Sequence, residues 1–504
     1  MSNPKTQRSS PAKPRVYNGW VRKFELDDYL DRHLPVPTQV VSNEEYSPLP
    51  QTRQQQMVEH RALELADRNS KRLGLTRRQF LQTSCGVAVS FAAMNSVFGE
   101  FFTVDAAELL EPAAAQVKKT KYFIFDVQTH HVGTGQQIPS ASKELLDFVI
   151  GLRRSLGAND PALAGREARM VDMELENFIK EVFLDSETDV IALSALPTAT
   201  EAGAVLPPHV IAHSRKLVNE LAHSRRLVSH GLFSPDLGAR NLEWMQEQAE
   251  KLKIDAWKGY TGQPMVPNTP GWWLDDEKRT YPALEYSRKS KIRNICLHKG
   301  LPLPGHEDEY YSPADVVKAS RDFRDLNFLL YHSGFKSLQD AKPAVQSNFK
   351  ETAYIPWVSD LCDWRRKNSH MTNVYMELGS TFALMTVTSP LLCAHVLGMM
   401  IDAFGADHVL WGTDSIFWGS PQWQIEALRR LQMPEALMKQ FGYKPLTDEI
   451  KAKIFGRNAA RLYSVDIGKQ RNAIPSDYLE RLQKLYQQGA FPSPSNTQYG
   501  WVHA

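Results

Sequence analysis

Polar side chains that can bind a metal ion or move a proton follow four hydrophobic runs of this sequence. Gln128 and His130 end the first run, and with Asp126 they share one face of a regular strand because side chains alternate along it. On such a strand, His131 points the other way. The other three candidates end later runs and are His298, His332 and Asp414.

These residue types suit a divalent cation, which prefers imidazole nitrogen and carboxylate oxygen as ligands. One histidine at a strand end is usually structural. Several such residues at the ends of four strands favour a shared site, provided that the strands converge. A parallel barrel provides that convergence, since its chemistry lies at the carboxyl-terminal ends of its strands.

The pattern of the chain from residue 121 predicts such a barrel. Short hydrophobic runs alternate with helical patterns, which indicates βα units and a parallel sheet. We predict an α/β fold, a (β/α)₈ TIM barrel, with strands over 122–130, 189–196, 227–233, 254–260, 292–298, 328–332, 374–378 and 409–412. The helices are predicted over 141–156, 167–184, 208–222, 242–252, 313–326, 390–404, 422–431 and 447–464.

Composition excludes several classes of protein. The chain has 504 residues, 42% of them hydrophobic, and a formal net charge of +2, which gives no reason to expect a nucleic acid as partner. Four scattered cysteines are too few for a disulfide framework. No stretch has eighteen apolar residues, so no membrane span is predicted.

The first 120 residues differ from the rest and are predicted to be a leader. Thr76-Arg77-Arg78-Gln79-Phe80-Leu81 matches a twin-arginine export signal, and the modestly apolar run to about residue 98 matches its hydrophobic region. Cleavage is expected near 104–106 or 113–115. The prediction is a periplasmic or exported protein that meets the twin-arginine translocation machinery, although the segment before the arginines is unusually long. The barrel covers 121–466, and 467–504 form a helix and an exposed tail.

The chain resembles the amidohydrolase-related family of metal-dependent hydrolases, which includes aminocarboxymuconate-semialdehyde decarboxylase. The resemblance covers about 122–465. Its motifs are Asp126-x-x-x-His130, a histidine with a glycine two residues later at His298 and His332, Gly412-Thr413-Asp414, and the segment IFGRNAARLY at 454–463. It implies a TIM barrel that usually holds one divalent metal ion, often zinc. By this resemblance His130, His298 and Asp414 are ligands, and His332 is catalytic.

One position departs from the family pattern. The family has a histidine where this chain has Gln128, whose neutral amide oxygen is a weaker zinc ligand than imidazole. The site is therefore expected to hold its metal more weakly, to prefer a harder ion such as manganese over zinc, or to hold none. Lys258 on the fourth strand is expected to pair with an anionic substrate group or with Asp414, and Trp418 to line the substrate pocket.

Three functions remain open on the sequence. The first is hydrolysis of an amide, ester or lactone, in which Asp414 orients water and shuttles its proton while His332 polarises the carbonyl. The second is nonoxidative decarboxylation or hydration of an unsaturated carboxylic acid in the same pocket. The third is a non-catalytic binding protein on a decayed barrel, which Gln128 favours. The expected partner is a small molecule of unidentified structure, and a homo-oligomer is left open.

Overall fold

Eight parallel strands, paired in chain order, form the centre of the molecule. In the computed structural model, residues 13–16, 19–41, 49–117, 122–131, 175–196, 206–266, 269–303, 306–489 and 501–503 are described. The strands are β1 (Phe125–Thr129), β2 (Val190–Leu193), β3 (Leu227–Leu232), β4 (Ala256–Gly259), β5 (Asn294–His298), β6 (Asn327–Tyr331), β7 (Val374–Glu377) and β8 (Val409–Leu410). The prediction of a (β/α)₈ barrel is confirmed.

The barrel closes where β8 meets β1. The ladder of β8 is short, but the chain beyond it continues alongside β1. Val127 donates its backbone N–H to the Trp411 carbonyl at 3.0 Å, and Asp414 donates to the Gln128 carbonyl at 2.9 Å. Thr129 and Ser415 then form an isolated parallel bridge. Closure thus rests on irregular backbone after β8, which is also the segment that carries Asp414.

Alternation along the strands divides the apolar side chains between two cores. On β2, Val190 and Ala192 pack inside the barrel, whereas Ile191 and Leu193 belong to the larger core between the sheet and the helices. The interior is closed at its amino-terminal end by Tyr463, whose hydroxyl lies 2.8 Å from Nε2 of His230. The barrel is therefore a packed core rather than a channel.

The helices surround the barrel and extend it at both ends. They are α1 (Lys23–Leu30), α2 (Arg53–Arg72), α3 (Arg77–Leu81), α4 (Ser84–Phe98), α5 (Pro112–Val117), α6 (Leu175–Ile179), α7 (Pro208–Ala222), α8 (Ala239–Glu247), α9 (Tyr281–Ser290), α10 (Val316–Asp322), α11 (Leu338–Gln346), α12 (Val358–Lys367), α13 (Gly379–Thr388), α14 (Pro390–Phe404), α15 (Gln422–Arg430), α16 (Glu435–Phe441), α17 (Asp448–Ala452), α18 (Asn458–Leu462), α19 (Ile467–Ala473) and α20 (Tyr478–Gly489). The predicted helices over 208–222 and 390–404 are confirmed with the same bounds. None of the described helices is both long and apolar enough to cross a membrane.

Several predicted features lie outside the described residues. They are the helix over 141–156, the first part of the helix over 167–184, and most of the tail after residue 489. Of that tail, Trp501–His503 form a short strand that pairs antiparallel with Trp20–Arg22. The predicted helix over 242–252 is present as α8 and a following turn of π-helix over Gln248–Leu252.

Asn458 is predicted to hold the amino-terminal end of β8 in place. It lies at the start of α18, is buried, and donates from Nδ2 to the carbonyls of Ala406 and Val409, at 2.8 Å each. Asn458→Asp keeps the shape but removes the donor, so both carbonyls lose their partner. We expect a loss of about 2–3 kcal/mol in the free energy of unfolding, measured with urea. The same change at exposed Asn348 should have little effect; equal effects at both positions would contradict this role.

Candidate functional site

The side chains predicted to do chemistry meet at the carboxyl-terminal end of the barrel. Gln128 and His130 come from the end of β1, His298 from β5, His332 from the turn after β6, and Asp414 from the segment after β8. Each is exposed by 1% or less. Contacts between neighbours, described below, link all five. His131 faces outward as predicted, with Nε2 2.9 Å from the Ser214 hydroxyl on α7.

Asp414 and His130 form the centre of this cluster. Nδ1 of His130 lies 2.8 Å from the Ser194 carbonyl, which only accepts, so Nδ1 carries the proton. Nε2 faces Oδ1 of Asp414 at 3.2 Å, and without a second proton on the ring both of these atoms are acceptors. Two facing acceptors need a proton or another cation between them.

The surroundings of Asp414 favour its ionised form. Burial raises the pKa of Asp414, but the hydrogen bond and charge of His130, with help from His332 and Ser380, outweigh burial and hold the pKa below its usual range. Ser380, near the start of α13, donates its hydroxyl to Oδ2. Trp418 donates its indole N–H to the Ser380 hydroxyl at 2.8 Å. Trp418 therefore lies behind Ser380 and supports Asp414 through it.

The Gln128 amide lies between Asp414 and His332. Its Nε2 donates to Oδ1 of Asp414 at 2.9 Å and lies 3.5 Å from Nε2 of His332. Its Oε1 is buried and has no hydrogen-bond partner among the described residues. The nitrogen side of the amide thus faces the carboxylate, and the oxygen side is left without a donor.

His332 is held in an unusual backbone conformation at the end of β6. Its φ is +68°, its N–H donates to Oε2 of Glu377 at 3.1 Å, and its carbonyl accepts from the Thr381 hydroxyl at 3.0 Å. Because the Gln128 amide nitrogen faces Nε2, the ring proton is assigned to Nδ1. Nδ1 is buried, and no acceptor for it is found in the described part of the chain. Burial lowers the pKa of His332 to about 3, so the ring is neutral at physiological pH.

His298 lies at the edge of the cluster. Its ring meets that of His332 edge-on, with 4.5 Å between the centroids, and its Nε2 lies 3.3 Å from the Leu301 carbonyl. Burial lowers the pKa of His298 well below its usual value. With Nε2 directed at a backbone carbonyl, the ring is oriented by the turn after β5.

Lys258 contributes a positive charge inside the barrel. It lies on β4 and is completely buried, and its ammonium nitrogen lies 3.5 Å from the centroid of the Tyr331 ring. The ring of Tyr260 is 4.9 Å away. The charge of Lys258 opposes protonation of His298 and His332.

Glu377 is a sixth polar residue of the site, at the end of a fifth strand, and the sequence analysis missed it. It ends β7, is completely buried, and its Oε1 makes no hydrogen bond to the described residues. Burial raises the pKa of Glu377 well above its usual value. Two glycines make room for it: a Cβ on Gly412 would lie 1.6 Å from Oε1, and a Cβ on Gly379 would lie 2.9 Å from Oε2. A glutamate at the end of a predicted strand, followed by glycine two residues later, was the available signal.

Asp126 joins the two strands that carry the central pair. Its Oδ1 accepts from the backbone N–H groups of Gln128 and Thr413, both at 3.1 Å, and its Oδ2 accepts from the Thr413 hydroxyl. Burial raises the pKa of Asp126 to about 7. Asp126 therefore faces the seam between β1 and β8 and fixes the positions of Gln128 and Asp414.

The donor set fits a divalent cation in part. The 3.2 Å between Nε2 of His130 and Oδ1 of Asp414 is close to the roughly 3.3 Å that separates two ligands of a tetrahedral ion. Within the described ranges, however, no three or more His, Cys, Asp or Glu side chains are grouped to hold a metal ion. Gln128 would complete the set only by turning its amide so that Oε1 faces the pair. His298 would have to leave the Leu301 carbonyl.

The buried neutral state of His332 predicts a pH dependence of stability. The unfolded chain protonates this histidine near its ordinary pKa of 6.5, whereas the folded chain does so only near 3. The contribution of His332 to the free energy of unfolding is therefore complete above pH 6.5. It is lost as the pH falls towards 3, by at most about 1.4 kcal/mol per pH unit.

Urea unfolding between pH 4 and 7 should show this slope, and His332→Gln should reduce it. His209→Gln on the exposed face of α7 is the control and should leave the slope unchanged. An unaltered slope in His332→Gln would show that this ring protonates normally in the folded protein.

Several proteins of known structure resemble this chain. The structure resembles an uncharacterized TIM-barrel protein, Bb4693, from Bordetella bronchiseptica (15% identity, 68% of this chain, 98% of that chain, TM-score 0.42). It also resembles 5-carboxyvanillate decarboxylase LigW from Sphingomonas paucimobilis, with 15% identity over 69% of this chain and 100% of that chain and a TM-score of 0.42. A third similar structure is 2,6-dihydroxybenzoate decarboxylase from Rhizobium, with 15% identity over 69% of this chain and 100% of that chain and a TM-score of 0.39. No curated protein matches the sequence. The family model described as Amidohydrolase matches residues 198–465, just over half of the chain, and the chain therefore belongs to the amidohydrolase family.

Proposed function

We propose that this protein is a hydrolase that attacks the carbonyl of a small amide, ester or lactone at the carboxyl-terminal end of the barrel. The observation that carries the proposal is the Nδ1–H of His332, which is buried and meets no acceptor in the described part of the chain. A buried donor without a partner costs free energy. A substrate carbonyl oxygen would accept from it, and the hydrogen bond would strengthen as negative charge develops on that oxygen.

Asp414 is the proton carrier in this mechanism. Its carboxylate is ionised and oriented by Ser380, Gln128 and His130, so it can accept the proton of a water molecule as that water attacks the carbonyl carbon. The carbon–heteroatom bond then breaks, and the same proton passes from Asp414 to the leaving nitrogen or oxygen. His332 keeps its proton throughout and binds the oxygen.

The metal remains part of the proposal. His130 and Asp414 would hold a divalent ion, with Oε1 of Gln128 after rotation of its amide; zinc or manganese would suit these donors. The chemistry that such an ion supplies when bound is acidification of water and polarisation of the carbonyl.

A second candidate is nonoxidative decarboxylation, and Lys258 favours it. Lys258 is completely buried inside the barrel, and its ammonium group would attract the carboxylate of a substrate. In this reaction the carbon–carbon bond to the carboxylate breaks and carbon dioxide leaves. The remaining carbanion takes a proton that Asp414 has first accepted from a water molecule, which is left as hydroxide. Product analysis separates the two reactions, since only this one releases carbon dioxide.

Replacement of the proton carrier tests both reactions. Asp414→Asn should reduce kcat by at least about a hundredfold on any active substrate from a lactone, ester, amide and aromatic carboxylate panel. Asp407→Asn, at a partly exposed carboxylate on the opposite side of β8, is the matched control and should retain activity. Circular dichroism should show both variants folded. Near-normal turnover by folded Asp414→Asn would reject the mechanism, and a wild-type protein inactive on the whole panel would favour a binding protein.

Metal binding can be measured without turnover. We expect wild-type protein to bind one Mn²⁺ or Zn²⁺ ion weakly, and Gln128→His to bind it about tenfold or more tightly, because imidazole is the better ligand. His130→Gln should abolish binding, and His209→Gln should not change it. Isothermal titration calorimetry and electron paramagnetic resonance of Mn²⁺ report the affinity. Absence of stoichiometric binding in both wild-type and Gln128→His protein would rule out the metal.

A further inference from the structure

The segment that resembles an export signal is folded into the protein. Thr76 caps α3 by accepting from the Gln79 backbone N–H, and Phe80 and Leu81 at the end of α3 are buried. The two arginines differ. Arg77 donates from Nη2 to the Asp31 carbonyl at 2.7 Å and also pairs with the Asp31 carboxylate.

Arg77 makes further contacts that Arg78 lacks. Nη1 of Arg77 lies 3.4 Å from Oδ1 of Asp67 on α2, so this side chain joins α3 to α2 and to the turn after α1. Arg78 is exposed, and Nη1 of its guanidinium group lies 3.6 Å from Oδ1 of Asp28. A translocation machinery recognises both arginines of an export signal. In this fold, by contrast, mainly Arg77 makes contacts with other segments.

The apolar helix that follows is buried on several sides. α4 packs against α2, α3, α5 and the barrel helix α15. Gly86 lies so close to the backbone of Leu81 that a Cβ there would approach the Leu81 carbonyl oxygen to 2.5 Å. The buried side chains of α4 are Cys85, Ala88, Val89, Ser90, Phe91, Ala93 and Met94. The hydrophobic run thus forms part of the main core.

The chain after α4 is bound directly to the barrel. Thr103 donates its backbone N–H to the Arg430 carbonyl at 2.9 Å, and Gln432 donates to the Phe101 carbonyl at 2.8 Å. Arg430 pairs with Glu108 at 2.7 Å through a guanidinium group that is almost completely buried. Its Cζ also lies 5.7 Å from the centroid of the Phe91 ring.

These contacts reach the two helices beside Asp414. Arg430 ends α15, and near the start of α15 the Trp423 indole donates to the Trp418 carbonyl at 3.3 Å. On the other side, Gln55 of α2 donates to the Val387 carbonyl at 2.9 Å, near the end of α13. α13 carries Ser380, which donates to Asp414. Residues 53–109 therefore brace both α13 and α15.

We propose that residues 53–109 are a permanent brace that positions the Asp414 segment, and that the export-like sequence within them stays in the working protein. Cleavage near 104–106 would remove α2, α4 and the contact of Thr103 with Arg430, and cleavage near 113–115 would also remove Glu108. The face of α15 that α4 covers would then be exposed to water, which is unfavourable. The inference does not depend on which reaction the site catalyses.

The first test compares the two arginines in the full-length chain. Arg77→Gln should lower the melting temperature by several degrees, while Arg78→Gln should change it by less than about one degree. Hydrogen exchange measured by mass spectrometry should show faster exchange over 379–388 and 413–430 in Arg77→Gln but not in Arg78→Gln. Phe91→Ala should have the same effect on exchange through the contact with α15. If the two arginine variants show the same melting temperature and the same hydrogen exchange, the proposal is wrong.

The second test examines the mature protein. The full-length chain with a carboxyl-terminal tag is produced in a host with an active twin-arginine pathway, and its intact mass and amino-terminal sequence are determined. Retention of 77–109 in folded protein, in either compartment, supports the proposal, as does unfolding of any shortened product. A shortened protein that lacks 77–98 and keeps the melting temperature of the full-length chain would disprove it.

Discussion

The seam between β1 and β8 is the constraint on which the site depends. Asp126 on β1 accepts from Thr413, and the backbones of Gln128 and His130 pair with Asp414, Ser415 and Ile416. This pairing closes the barrel and at the same time sets Oδ1 of Asp414 opposite Nε2 of His130. Loss of register at the seam would therefore open the barrel and, at the same time, separate His130 from Asp414.

The electrostatics of the closed site follow from its burial. Asp414 keeps its negative charge because His130 and several donors compensate it, and burial holds His298 and His332 neutral. Burial also favours the protonated form of Glu377. Lys258 supplies a positive charge inside the barrel, over the ring of Tyr331. A site with one strong anion, neutral imidazoles and a buried cation suits a polar or anionic substrate held away from water.

Much of the fold could be predicted because it depends on local patterns. All eight strands were found from hydrophobic runs, and strand alternation gave the outward direction of His131. The convergence of Gln128, His130, His298, His332 and Asp414 followed from the barrel alone. Their roles in metal binding stay predictions.

Other features depend on contacts between distant segments, which no local pattern encodes. The direction of the His298 ring is set by the Leu301 carbonyl, and the space for Glu377 is set by Gly379 and Gly412. The folded state of the amino-terminal segment depends on Arg430 and Val387, more than three hundred residues further along the chain. A hydrophobic run after two arginines has the same composition whether it is exported or packed.

The two glycines beside Glu377 limit how this site can change. At Gly412 and Gly379 even a methyl group would collide with the carboxyl oxygens of Glu377, and at Gly379 also with Gln128 and His332. Replacement of Gly412 by alanine is therefore blocked unless Glu377 is shortened first, and at Gly379 Gln128 and His332 would have to move as well. A change of substrate specificity would therefore have to arise in the loops at the carboxyl-terminal end of the barrel, while the residues packed around Glu377 stay the same.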